Sequence, residues 1–417
     1  MLKCDVCASA LTMNADGESA VCKTCGMNYS IERLRAMFRA GGGEISASKG
    51  REEPLTESSD FDIRDGCLVK YKGRKKHVII PEGVEIIDSY AFKANSVIEG
   101  ISIPKTLTEI KDNAFDDCPK FSEIHAEDAR TMAKLSFEGG AHPEYSLFIG
   151  GEEVRDLVLE NVGNIANGAF YRCRSLRSVS LGAGIEGLVN AFSSSAVERV
   201  RISGSVKAVS GFSSCKSLRS VEIGEGVEII GENAFSFSGI EEIKIPSSVK
   251  EIGLAAFRAC HSLSKIDLGD GVRKIGSYAF AECAPEDISF PKSLREICST
   301  AFLHCEKLAS VRFSEGLTTI GSSAFSHTGI KNIVFPESLA SLDHYAFSGT
   351  NLETVYFKGE ALPFYSYRAK VSSPRLDRER EIETKRLRRE AGLCQHCGGE
   401  ISFFGRTCKE CGVKRDY

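Results

Sequence analysis

Eight cysteines fall in four Cys-x-x-Cys pairs: Cys4 with Cys7, Cys22 with Cys25, Cys394 with Cys397 and Cys408 with Cys411. Fourteen residues separate the first two pairs and ten the last two. Each pair makes one tight turn, and two such turns facing each other across a short hairpin bring four thiolates to the corners of a tetrahedron, the geometry of zinc. Four sulfurs leave no open position for water, so each set predicts a structural ion rather than a hydrolytic one, two zinc ions per chain. Gly26, Gly398 and Gly412 follow three of the pairs, where a small residue lets backbone amides approach the sulfurs. His396 stands inside the third pair, but with four thiolates at hand its expected place is in solvent.

Outside those pairs the chemistry thins. Histidines 77, 125, 142, 261, 304, 327 and 344 follow no common spacing. No Ser-His-Asp order, nucleophile elbow, phosphate loop or His-Glu-x-x-His helix is present, so the expected protein is not an enzyme, with a dispersed active site as a rival reading.

What must position these residues is a repeat. Ala-Phe returns at 91–92, 114–115, 169–170, 191–192, 234–235, 256–257, 279–280, 301–302, 324–325 and 346–347, with Gly211-Phe212 filling one gap. From Phe192 onward the phenylalanines stand 20, 23, 22, 23, 22, 23 and 22 residues apart. A fixed period of this size marks stacked coils, none of which hides its apolar face without a neighbour. Each coil carries an alternating strand, as in Ile240-Glu241-Glu242-Ile243-Lys244-Ile245, then Pro or Gly, then Val-x-x-Ile-Gly, then Ala-Phe. Two inward side chains per strand predict one parallel sheet of successive coils. Alanine stays small because a larger residue would force coils beyond the roughly 4.7–4.9 Å spacing of paired strands.

Eleven residues before Phe the chain reads Gly224, Pro246, Gly269, Pro291, Ser314 and Pro336, an alternation locked to the change in period. The repeating unit in the C-terminal half is therefore a pair of coils, with proline at the strand end, where a missing donor does least harm. Three residues after Phe come Asn95, Cys118, Cys173, Ser195, Cys215, Ser238, Cys260, Cys283, Cys305, Thr328 and Thr350, all small groups able to bond backbone at a turn. Six cysteines thus belong to one structural column. Cys67 and Cys298 lie outside it and carry no assigned role.

The pattern resembles the BspA-type leucine-rich repeat, over about 61–357. The resemblance implies a mostly β repeat solenoid with a parallel sheet, and a surface that recognises protein. Phe61 to Tyr71 looks like the hairpin that caps such arrays, and the interruption between Phe115 and Phe170 resembles the longer coil the family inserts. Members are often surface-attached, which makes an adhesin one alternative. The N-terminal four-cysteine segment resembles small zinc ribbons that open bacterial multidomain proteins, with 29–35 matching their short helix and Ser30 as its cap. The C-terminal set resembles a ribbon appended to diverse bacterial cytosolic proteins.

In a solenoid the outward sheet positions are the default binding surface. One row reads Ser102, Ser180, Arg201, Glu222, Lys244, Asp267, Ser289, Arg312, Val334 and Tyr356, and its neighbour Gly100, Ser178, Arg199, Ser220, Glu242, Lys265, Asp287, Ser310, Asn332 and Thr354. Between Arg199 and Asp287 the charges alternate in sign from coil to coil, as cross-strand pairing requires. Arg312, Val334 and Tyr356 differ. An arginine, a valine and a tyrosine on adjacent rungs predict a contact patch for a protein partner.

The expected organisation is a zinc ribbon with a short helix over 1–40, a tether over 41–60, the solenoid over 61–362 with an irregular insertion about 116–150, a charged spacer over 363–391, and a second ribbon over 392–417. Net charge is −4, and the segments from Pro374 onward and up to Ala40 carry only +3 (eleven basic, eight acidic) and +1 (five basic, four acidic). Nucleic-acid binding through the ribbons is therefore not the main reading but its first alternative, with the adhesin as the further one. The first residues have no charged and apolar export pattern, so the expected place is the cytoplasm, where thiols stay reduced.

Overall fold

The computed structural model describes residues 58–138, 142–357 and 360–363, together with the short strands Thr12–Met13, Ser19–Val21 and Asn28–Ser30. Two compact units divide the chain, Met1–Glu241 and Glu242–Tyr417. The fold is a mostly β parallel solenoid of about 13 turns.

In the N-terminal unit, His77–Ile79, Gly100–Ser102, Glu123–Ala126 and Ser146–Ile149 form one parallel ladder. Asp156–Leu159, Ser178–Leu181, Arg199–Ile202 and Ser220–Ile223 form the next. The single sheet expected from the repeat is thus divided. Gly150 and Gly151, with φ of 60° and 84°, turn the chain back so that Glu152–Glu153 pairs antiparallel with Ser146–Ile149 and occupies that sheet's edge. In the C-terminal unit the first strands pair as Glu242–Lys244 with Lys265–Asp267, Asp287–Ser289 with Ser310–Arg312, and Asn332–Phe335 with Thr354–Phe357. A second ladder there runs from Glu251–Ile252 to Ser341–Leu342.

The Ala-Phe turn is a third ladder. Phe92, Phe170, Phe212, Phe257, Phe280, Phe302 and Phe325 each donate the backbone N–H to the carbonyl of the next coil's alanine, at 2.7–2.9 Å. Close approach of these backbones is what keeps the alanine small. The rings then stack at the rung spacing, with centroids 5.2, 5.3, 5.2 and 5.2 Å apart along Phe257, Phe280, Phe302, Phe325 and Phe347.

The interruption replaces one Ala-Phe turn with the helix Ala129–Lys134, capped by Asp128, whose carboxylate accepts the Thr131 N–H at 2.8 Å. Met132 and Ala133 of that helix are buried, and Tyr145, also buried, donates its hydroxyl to the Ala169 carbonyl.

Antiparallel strands close both ends of the described array. Phe61–Arg64 pairs with Cys67–Tyr71 around Asp65 and Gly66, both at positive φ, as a two-residue hairpin turn requires. Glu360–Pro363 pairs with Thr354–Phe357, a closing strand the repeat pattern does not announce. Near the start of the chain, Thr12–Met13, Ser19–Val21 and Asn28–Ser30 form an antiparallel meander. Tyr29 pairs with Ala20 in that ladder, so it is strand rather than the opening of a helix. Ser30 ends the same strand, and residues 31–35 lie outside the described residues. The last residues of the expected tether, Ser58–Asp60, form a 3-10 turn.

Candidate protein-binding face

Parallel register sets which outward side chains are neighbours. Alternation buries Ile243, Ile288, Ile333 and Val355 beneath the sheets of the C-terminal unit and turns the residues between them outward. In the middle rows the expected pairing of opposite charges is present: Arg201 meets Glu222 at 2.7 Å, and Lys265 meets Glu242 at 3.8 Å. The side chains remain mostly in water, so each pair neutralises its rung without adding much stability.

The rungs toward Tyr356 are built differently. Val334 and Tyr356 are in register on neighbouring coils, 62% and 41% exposed. Arg312, level with Ser289 on the preceding pair of strands, is exposed and has no carboxylate within ion-pair distance among the described residues. Behind these three, Phe290, Phe313 and Phe335 form a second stacked column with ring centroids 5.3 and 6.1 Å apart. That column meets the main one edge-on, Phe290 against Phe302 and Phe335 against Phe347, and gives the patch a rigid backing. Val158 in the N-terminal unit is as exposed as Val334, but its register partner is Ser180.

The column after Phe is structural, as its residue types indicate. The thiols of Cys118, Cys215, Cys283 and Cys305 donate to the carbonyls of Phe92, Phe192, Phe257 and Phe280 one coil back, at 3.0, 3.1, 3.1 and 3.1 Å. Thr328 and Thr350 bond the phenylalanine carbonyl of their own coil. Burial pushes the Cys215 thiol up to about 11 and the Cys305 thiol up to about 12. Burial, then the neighbouring Glu296 carboxylate, raises Cys298 to about 11.

A cleft of about 410 Å³ opens beside the turns of the C-terminal unit, lined by His261, Glu282, Cys283, His304 and Glu306 among others. Its chemistry is already committed. Glu282 pairs with Arg258 at 3.5 Å, His261 Nδ1 lies 3.0 Å from the Glu282 carbonyl, and burial holds Cys283 protonated.

Cys4, Cys7, Cys22, Cys25, Cys394, Cys397, Cys408 and Cys411 lie outside the described residues. Sequence reasoning overlooked one cluster, His77, Glu123 and His125, which the register brings together. The signal was present: aligning the interrupted coil on its strand, rather than on Ala-Phe, places His77 and Glu123 in one outward row.

No curated protein matches the chain. The profile for the BspA type leucine rich repeat region matches residues 63–141, 144–264 and 250–367. Among solved structures, a leucine rich cell surface protein from Faecalibacterium prausnitzii is similar at 22% identity, over 77% of this chain and 96% of that one, with a TM-score of 0.38. A leucine-rich repeat protein from Eubacterium ventriosum is similar at 20% identity, over 69% and 88%, with a TM-score of 0.44. A leucine rich repeat protein from T. pallidum is similar at 20% identity, over 66% and 89%, with a TM-score of 0.30. With the profile spanning most of the sequence, on coils built from its Ala-Phe turns, the chain belongs to the BspA-type leucine-rich repeat family.

Proposed function

We propose that the chain is a non-enzymatic scaffold that binds another protein, docking it on the outward sheet face around Arg312, Val334 and Tyr356. The observation that carries this reading is the exposed apolar pair Val334 and Tyr356, in register on a face where other rungs carry paired charge. Aromatic side chains bring a large contact area at the cost of two rotatable bonds, and arginine brings a planar fork of donors, which is why both anchor interfaces. The scaffold reading includes a cytoplasmic setting and two structural zinc ions, on Cys4, Cys7, Cys22 and Cys25 and on Cys394, Cys397, Cys408 and Cys411.

A photo-crosslinking residue placed at 334, with the same residue at 222 as control, tests the docking face in cells. Adducts of defined mass from 334 alone, lost on Arg312→Ala/Tyr356→Ala, are the expected result. Equal adducts from both positions would falsify the assignment.

A further inference from the structure

His77 and Glu123 share one outward row of the first sheet, two coils apart, with Gly100 on the rung between them. His125 lies in the next row, level with Ser102 and Phe148. One atom from each imidazole and one carboxylate oxygen of Glu123 lie within 4.8 Å of one another, and all three side chains are half-buried. From this geometry we propose that His77, Glu123 and His125 bind a divalent metal ion of the zinc class, with a fourth position open to the outside. The proposal is independent of the docking face and of both cysteine sets.

Two imidazoles and one carboxylate are a donor set that zinc takes readily, and three protein ligands leave a coordination position free. Ligands about 2.0–2.1 Å from a tetrahedral ion stand about 3.3 Å apart, so small side-chain rotations close the present separation. His125 Nε2 already lies 3.1 Å from Glu123 Oε2. An ion bound there would take the place of the hydrogen bond that joins them.

The surroundings suit this role. A Cβ at Gly100 would lie 2.9 Å from Glu123 Cβ and 3.0 Å from His77 Nδ1, so the rung between the ligands is kept clear only by glycine. Ser102 Oγ lies 2.8 Å from His77 Nε2. In the tautomer that carries its proton on Nε2, Ser102 accepts that N–H and Nδ1 faces Gly100, the kind of outer-shell contact that orients ligating histidines. The His125 ring lies flat on Phe148 at 4.5 Å and edge-on to His77 at 4.4 Å, which holds its plane.

The test uses the full chain, zinc added in excess and then free ion removed, with metal counted by native mass spectrometry. Wild type is expected to hold one ion more than His77→Ala/His125→Ala, a difference that does not depend on how many ions the cysteine sets carry. Circular dichroism melts of both proteins confirm that the variant folds. Glu123→Gln, which keeps a hydrogen-bonding oxygen, is expected to bind zinc at least tenfold more weakly than wild type. Zinc should also protect His77 and His125 from acylation by diethyl pyrocarbonate in wild type. Equal ion counts in wild type and the double variant, or acylation of His77 and His125 unaffected by zinc, overturn the site.

Discussion

The cysteine three residues after each phenylalanine shows how much a single side chain reveals by its spacing alone. Its recurrence with Ser, Thr and Asn in one column pointed to a hydrogen bond at a turn, and the thiols do donate to phenylalanine carbonyls. What the spacing could not give was the direction of that bond: cysteine reaches back one coil, while Thr328 and Thr350 stay within their own. Burial raises Cys215 from an ordinary 9.0 to about 11 and Cys305 to about 12, so the folded state keeps both protonated where the unfolded chain ionises. The sign follows from proton counts. Below pH 9 both states hold these protons and nothing changes, whereas between about 9 and 12 the unfolded state sheds them first and stability falls with rising pH. Each thiol contributes a loss on the order of 2–4 kcal/mol across that window. Denaturant midpoints measured from pH 7 to 11 should therefore be flat up to 9 and then drop, and the drop should shrink in Cys215→Ser/Cys305→Ser. In the same setting, site-resolved alkylation should label Cys67 and Cys298, both half-buried, well before Cys215 or Cys305.

At the level of the turn, the phenylalanine was legible and the backbone around it was not. Residues two before and two after the ring take the left-handed region: Ala255 and Ala259, Tyr278 and Glu282, Thr300 and His304, Ser323 and His327, with φ between 52° and 61°. The reason is the third ladder, since alternating handedness turns the N–H groups of these residues and of the phenylalanine toward the next coil, as in Thr300 to Ser322, Phe302 to Ala324 and His304 to Ser326. Sequence reading expects glycine or asparagine at such positions, and here the ladder imposes the conformation on alanine, tyrosine and threonine instead. A β-branched residue suffers most, and Thr300 sits at φ 58°. Thr300→Asn should accordingly stabilise by about 1 kcal/mol in chemical denaturation, because asparagine tolerates that region better. At the centre of the same turn, Phe302 is fully buried between Phe280 and Phe325. Phe302→Ala should cost about 3–5 kcal/mol and Phe302→Leu less than about 1.5, a contrast that reads column packing rather than hydrophobicity alone.

Across the molecule, charge rather than fold sorts the outward face. Opposite charges meet on neighbouring coils at Arg201 and Glu222 and at Lys265 and Glu242, and those contacts involve long, exposed side chains that water screens. Legibility follows the same division: a row of alternating signs can be read from a linear alignment, as can three uncharged or unpaired rungs in succession. The His77, Glu123 and His125 cluster is legible only when the coils are aligned on their strands, because the coil that carries Glu123 and His125 lacks the Ala-Phe marker. These two kinds of surface predict opposite responses to the same operation. Arg201→Ala/Glu222→Ala removes an exposed pair and should leave both the unfolding midpoint and any crosslinked adduct at 334 unchanged. Val334→Asp places a carboxylate beside Tyr356 on an exposed rung, so folding should again be unaffected, while adducts from a crosslinker at 356 should fall at least tenfold. Loss of adducts in the Arg201 and Glu222 variant, or their persistence in Val334→Asp, would move the docking face away from the Arg312 to Tyr356 rungs and onto the charged rows.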